Sequence, residues 1–106
     1  MNGKYAIVLK SPMGPKKGFI YLKELNNCIE GKLDCLGKKH LFTGTISDSG
    51  KISLEGILRS PLGEEPFLIQ GTIQENVLTA SFKRRNESYE ILGLQVDDNK
   101  ESKIEI

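Results

Sequence analysis

The chain has 106 residues, with 15 lysines and arginines against 14 aspartates and glutamates, for a formal net charge of +1. At 38% hydrophobic and 27% charged residues it can build one packed domain, which excludes global disorder. No run approaches the roughly 20 apolar residues of a membrane helix, and the near-neutral balance removes the simplest argument for a nucleic-acid-binding protein.

Eight short strands are predicted in chain order: Tyr5–Lys10, Phe19–Leu25, Cys28–Asp34 and Leu41–Ser47, then Lys51–Arg59, Pro66–Ile73, Val77–Lys83 and Ser88–Asp97. The first apolar run, Tyr5 to Leu9, is too short for a secretory signal, so a cytoplasmic location away from membranes is expected. Turn residues separate the strands. Asn26-Asn27 and Asp48-Ser49-Gly50 tolerate positive φ, and in Ser11-Pro12-Met13-Gly14 and Ser60-Pro61-Leu62-Gly63 proline opens a corner that glycine completes. No segment sustains a helical period. Cys28 and Cys35, at the ends of one predicted strand, would stand about 23 Å apart at about 3.3 Å per residue. They cannot bridge to each other and are expected to be free thiols in a reducing compartment.

The chain also repeats itself. Lys10-Ser11-Pro12-Met13-Gly14 returns as Arg59-Ser60-Pro61-Leu62-Gly63, a period near 49 residues. Gly18-Phe19-Ile20-Tyr21 aligns with Pro66-Phe67-Leu68-Ile69 after a one-residue slip. Residues 1–98 therefore read as a single domain of two four-stranded repeats, about 4–47 and 51–97, followed by a charged tail at 99–106. Eight hairpin-linked strands make an all-β, antiparallel up-and-down meander, and eight is the number at which a small sheet closes into a barrel. An open sandwich is the alternative with the same strands.

Alternation assigns the faces. Ile52, Leu54, Gly56 and Leu58 are expected inside, and the repeat extends this to Tyr5, Ile7, Leu9, Phe19, Tyr21, Ile29, Leu33, Phe42, Phe67, Ile69, Leu78, Phe82 and Ile91. These side chains either fill the barrel or leave a modest apolar cavity. Val8, Ile20, Leu22, Leu92, Leu94 and Val96 are then left outside, where a contiguous apolar patch would serve a homodimer.

One end of such a barrel collects the loops after strands one, three, five and seven. Nine cations (Lys10, Lys16, Lys17, Lys38, Lys39, Arg59, Lys83, Arg84, Arg85) meet four carboxylates there, whereas the opposite end is slightly acidic. A cationic rim steers anions even when net charge is small. Nucleic acid is not expected as a partner, because the basic loops carry no interleaved aromatic residues. His40 is the single histidine; with Cys35 it supplies two ligands where zinc needs three or four, so no metal, cofactor or catalytic residue is assigned and an enzyme is not expected.

Strand number, hairpin order and mid-strand glycines over residues 4–97 resemble the calycin-like meander barrels, the lipocalin and streptavidin shape. The resemblance implies a ligand pocket inside the barrel, open at one end. The chain has no tryptophan, so neither the Gly-x-Trp signature of lipocalins nor a tryptophan-lined biotin site is present, and no functional residue is carried across. The Lys10-Ser11-Pro12-Met13-Gly14 and Phe42-Thr43-Gly44-Thr45 runs also look like those of a group of small bacterial proteins, a resemblance that supplies no activity. The functional expectation is a barrel that binds a hydrophobic or amphipathic anionic small molecule. Tyr5, Tyr21 and Tyr89 would line its pocket, and Lys38, Lys39, Arg84 and Arg85 its mouth. The alternative is a scaffold with a filled interior, acting as a homodimer.

Overall fold

Eight antiparallel strands follow one another around a closed barrel in the computed structural model, which describes residues 2–35 and 37–96. They are β1 (Asn2–Ser11), β2 (Gly14–Leu25), β3 (Cys28–Cys35), β4 (Lys38–Ile46), β5 (Lys51–Ser60), β6 (Gly63–Gln74), β7 (Val77–Arg84) and β8 (Glu87–Val96). The barrel, not the sandwich, is the architecture, closed where β1 pairs with β8 from Lys4↔Val96 to Lys10↔Glu90. Corresponding strands of the two halves have lengths of 10 and 10, 12 and 12, 8 and 8, and 9 and 10 residues. The sequence-predicted tail at 99–106 lies outside the described residues.

Most hairpins are tighter than the sequence suggests. Asn26-Asn27 and Glu75-Asn76 each place both central residues at positive φ (53° and 71°, 49° and 71°), the backbone of a type I′ turn whose twist matches its strands. Pro12-Met13 alone reverses the chain between β1 and β2, with Ser11 paired to Gly14 and the Ser11 hydroxyl donating to the Gly14 carbonyl at 2.6 Å. The longest connection, Ser47 to Gly50, is tied by Ser47 N–H to the Lys51 carbonyl at 2.9 Å and by Gly50 N–H to the Ser47 carbonyl at 3.0 Å.

Among the described residues no charged side chain is fully buried, and the hydrophobic core runs through all eight strands, from Tyr5 and Ile20 to Leu54, Phe67, Leu78 and Ile91. Glycine makes room for its rings. Gly31 faces Phe42 and Gly56 faces Phe67 across the sheet, and a Cβ at Gly56 would come within 2.7 Å of the Phe67 ring. Phe67, Phe82 and Tyr89 stack in a column, with centroids 5.4 and 6.3 Å apart, rising toward the end that carries the basic turns.

The faces of β2 are the reverse of those expected. Ile20 and Leu22, assigned to the outer interface, are 0% and 4% exposed, whereas Phe19 and Tyr21 lie on the outer wall. Register explains the reversal: Tyr5 pairs with Ile20 and Ile7 with Gly18, and cross-strand partners share a face. The one-residue slip in the repeat alignment moved β2 to the opposite face, as any odd slip must.

One seam is incomplete. β4 and β5 pair only from Phe42↔Gly56 to Ile46↔Ile52, so residues 38–41 and 57–60 splay apart toward the basic end.

Candidate functional site

The turns at Pro12-Met13, Gly37, Pro61-Leu62 and Arg85-Asn86 ring one end of the barrel. Beneath them opens a cavity of about 540 Å³. Its walls are apolar, built by Ile7, Leu9, Leu33, Leu58, Phe82 and Tyr89, and its rim carries Lys16, Lys38, Arg59 and Arg84 with Glu65 and Glu87. The rim is charged because the inward rows of the strands continue past the core. Two residues beyond Phe67 stands Glu65, two beyond Phe82 stands Arg84, and the row of Phe42 extends through His40 to Lys38.

Much of the rim charge is already matched. Glu65, only 13% exposed in its side chain, lies 2.8 Å from Arg84 and 2.7 Å from Arg85. Arg59 pairs with Glu64 at 2.9 Å and Lys10 with Glu90 at 3.6 Å, both in the open where such pairs contribute little. Lys16 and Lys38 have no ion-pair partner among the described residues. Arg84 Nε and Glu65 Oε2 are shielded from solvent without a well-directed hydrogen bond; Glu87 Oε1 lies 3.7 Å from Arg84 Nε. The Tyr89 hydroxyl donates to Glu87 at 2.5 Å, and that bond holds the phenol above its usual pKa.

His40 stands on the inner face of β4, edge-on to Phe67 at 6.4 Å. Burial, and then the neighbouring Lys38 charge, push its pKa below the usual histidine value. It also borders a second depression of about 600 Å³ at the splayed β4–β5 seam, which shares Lys38, His40 and Arg59 with the mouth. Among the described residues no His, Cys, Asp or Glu cluster could hold a metal. Cys28 is exposed and Cys35 buried, both as free thiols.

The residues proposed from sequence separate into four groups. Lys38, Arg84 and Tyr89 meet at the mouth. Arg85 sits in the turn above it, bound to Glu65. Tyr5 lies deeper, 1% exposed, its phenol pushed up by burial. Lys39 and Tyr21 point away from the interior, as alternation from Phe42 and Leu22 requires. Lys16 and Glu65 count among the charges of this end in the sequence but not among its pocket residues, because both fall in predicted loops; the inward parity of Phe67 is the available signal for Glu65.

Of the apolar outer-face residues, Leu92 and Leu94 are 40% and 63% exposed beside Val77 at 41%, and Val8 and Val96 are partly exposed. Among the described residues no helix is long and apolar enough to cross a membrane, which says nothing about a β-barrel. The chain matches no family model and no curated protein.

Proposed function

We propose that the barrel binds an amphipathic anion, its apolar body in the mouth cavity and its acidic head among Lys16, Lys38 and Arg84. The observation that carries this reading is the pairing of an apolar cavity of about 540 Å³ with a rim on which Lys16 and Lys38 lack counter-ions among the described residues. A calycin-like relationship, with its end-opening pocket, fits the strand order and belongs to the same proposal. The cavity is large enough for a short acyl or aromatic body and is of ordinary ligand-pocket size.

Titration with a fluorescent medium-chain fatty acid tests the reading. Lys38→Glu and Lys16→Glu should each weaken binding by about tenfold, the scale of one lost charge-assisted contact. Leu9→Trp, which fills the cavity, should abolish it. Unchanged affinity in all three variants would reject the site. Native mass spectrometry of the purified protein, followed by mild release, would identify a resident ligand. The exposed Val77, Leu92 and Leu94 cluster favours a second reading, self-association through β7 and β8, which Leu92→Lys with Leu94→Lys would disperse on sizing.

A further inference from the structure

We propose that the outer wall of β1–β4 is a binding surface for single-stranded nucleic acid, separate from the mouth. Along the outside of β2 the side chains run Lys17, Phe19, Tyr21, Lys23, two aromatic rings flanked by lysines. The rings are neighbours, 6.3 Å between centroids, and each meets a lysine from an adjoining strand. Lys4 Nζ lies 4.7 Å from the centre of Phe19 and 5.7 Å from Tyr21, and Lys32 Nζ lies 4.8 Å from Tyr21. A shallow groove of about 440 Å³ continues beside Tyr21, bordered by Lys23, Glu30, Lys32, Leu41 and Thr43.

Charge selects this wall. The outward rows of β1–β4 carry six lysines, at 4, 10, 17, 23, 32 and 39, against Glu30 and Asp34. The outward rows of β5–β8 carry three cations, Lys51, Arg59 and Lys83, and three carboxylates, Glu55, Glu64 and Glu90, of which Glu90 reaches across the seam to Lys10 and leaves five lysines on the β1–β4 wall against Glu30 and Asp34. The excess positive charge of a nearly neutral molecule therefore lies where the two outward-facing, half-buried rings are. The basic hairpins lack aromatic residues, which is why nucleic acid is not expected from the sequence. The register of β2 puts the interleaving on the wall instead.

Each half of this arrangement has a matching part in a single strand. Phosphates take the lysines with release of counter-ions, and unpaired bases stack on the ring faces without regard to sequence. A base can replace a lysine over a ring, since an exposed cation–π contact is weaker than base stacking, and the displaced ammonium remains within reach of the backbone. A duplex offers the phosphates but no free base face. A lipid surface would want rings standing out of the wall, whereas Phe19 and Tyr21 lie half-buried along it.

The test is fluorescence anisotropy of the full chain with a labelled oligothymidylate of about 20 nucleotides at about 50 mM salt, beside the same length of duplex and vesicles of anionic lipid. Expected are saturable binding of the single strand, weaker binding of the duplex, and a loss of about tenfold for each of Phe19→Ala and Tyr21→Ala. Lys17→Gln and Lys32→Gln should each flatten the log–log salt dependence by about 0.7. Lys38→Glu, at the mouth, should leave the oligonucleotide affinity unchanged, and fatty-acid binding should survive Tyr21→Ala, so this surface and the cavity are judged separately. If an alanine variant melts early, Tyr21→Thr, which keeps a strand-forming residue, replaces it. No single-strand binding, equal binding of single strand and duplex that ignores both rings, or binding of vesicles alone would overturn the proposal.

Discussion

His40 shows how one side chain is set by its inward position. Its ring lies against Phe67 on the inner face of β4, and Lys38 is two residues away on the same row. Burial first, and Lys38 second, make the imidazolium less favourable there than in the unfolded chain. The folded state then binds fewer protons than the unfolded state just below pH 6.5. The stabilisation is complete above the unfolded value of about 6.5 and is lost as pH falls through the lowered folded value. Thermal melts should therefore drop more steeply between pH 7.5 and 5 in the wild type than in His40→Gln. NMR titration should place the His40 midpoint below that of a free histidine, moving up part-way in Lys38→Gln. A midpoint at or above the free value would contradict the burial described here. Glu65 is the contrasting case: its carboxylate remains inward only because two guanidiniums, Arg84 and Arg85, meet it.

At the scale of strands and hairpins, most of the fold was legible. Asn26-Asn27, Asp48-Ser49-Gly50 and the two Ser-Pro-x-Gly runs announce chain reversals by their own backbone preferences, and alternation around Ile52, Leu54 and Leu58 fixed β5. β2 was not legible, since both of its faces are apolar: Phe19 and Tyr21 compete with Ile20 and Leu22, and only the cross-strand register decides. The site was half legible for the same reason. Lys38 and Arg84 continue inward rows that sequence identifies, but Lys16 belongs to the stretch of β2 hidden in what read as a loop. One hairpin also departs from its best residue. Glu75 holds φ at 49° in a turn whose counterpart, at the same place in the first half, is Asn26. Left-handed backbone is costly for a residue with an ordinary side chain and less so for asparagine. Glu75→Asn should stabilise the protein by about 0.5–1 kcal/mol. Urea denaturation would show a higher midpoint at unchanged slope, and a lower midpoint would refute the strain.

For the molecule as a whole, closure is uneven around the circumference. The β4–β5 seam parts beyond Phe42↔Gly56, next to the mouth, while the β5–β6 ladder runs unbroken from Lys51↔Thr72 to Ser60↔Gly63. Amides directed into the gap from residues 38–41 and 57–60 should exchange with solvent faster than those of Thr43 and Thr45, as measured by hydrogen-exchange NMR; uniform protection along β4 would show that the seam is shut. The opposite closure, β1 to β8, has a different consequence. Every other pairing joins strands that are neighbours in the chain, whereas this one ties Lys4 to Val96. Local hairpins form early and the distant pairing last, because its loop entropy is met only once the intervening strands are in place. During synthesis, β1 emerges before β8 and waits with one edge bare until β8 has left the ribosome. Crowded polysomes would bring such edges from several nascent copies together, and a short delay in translation ahead of β8 would lengthen that exposure.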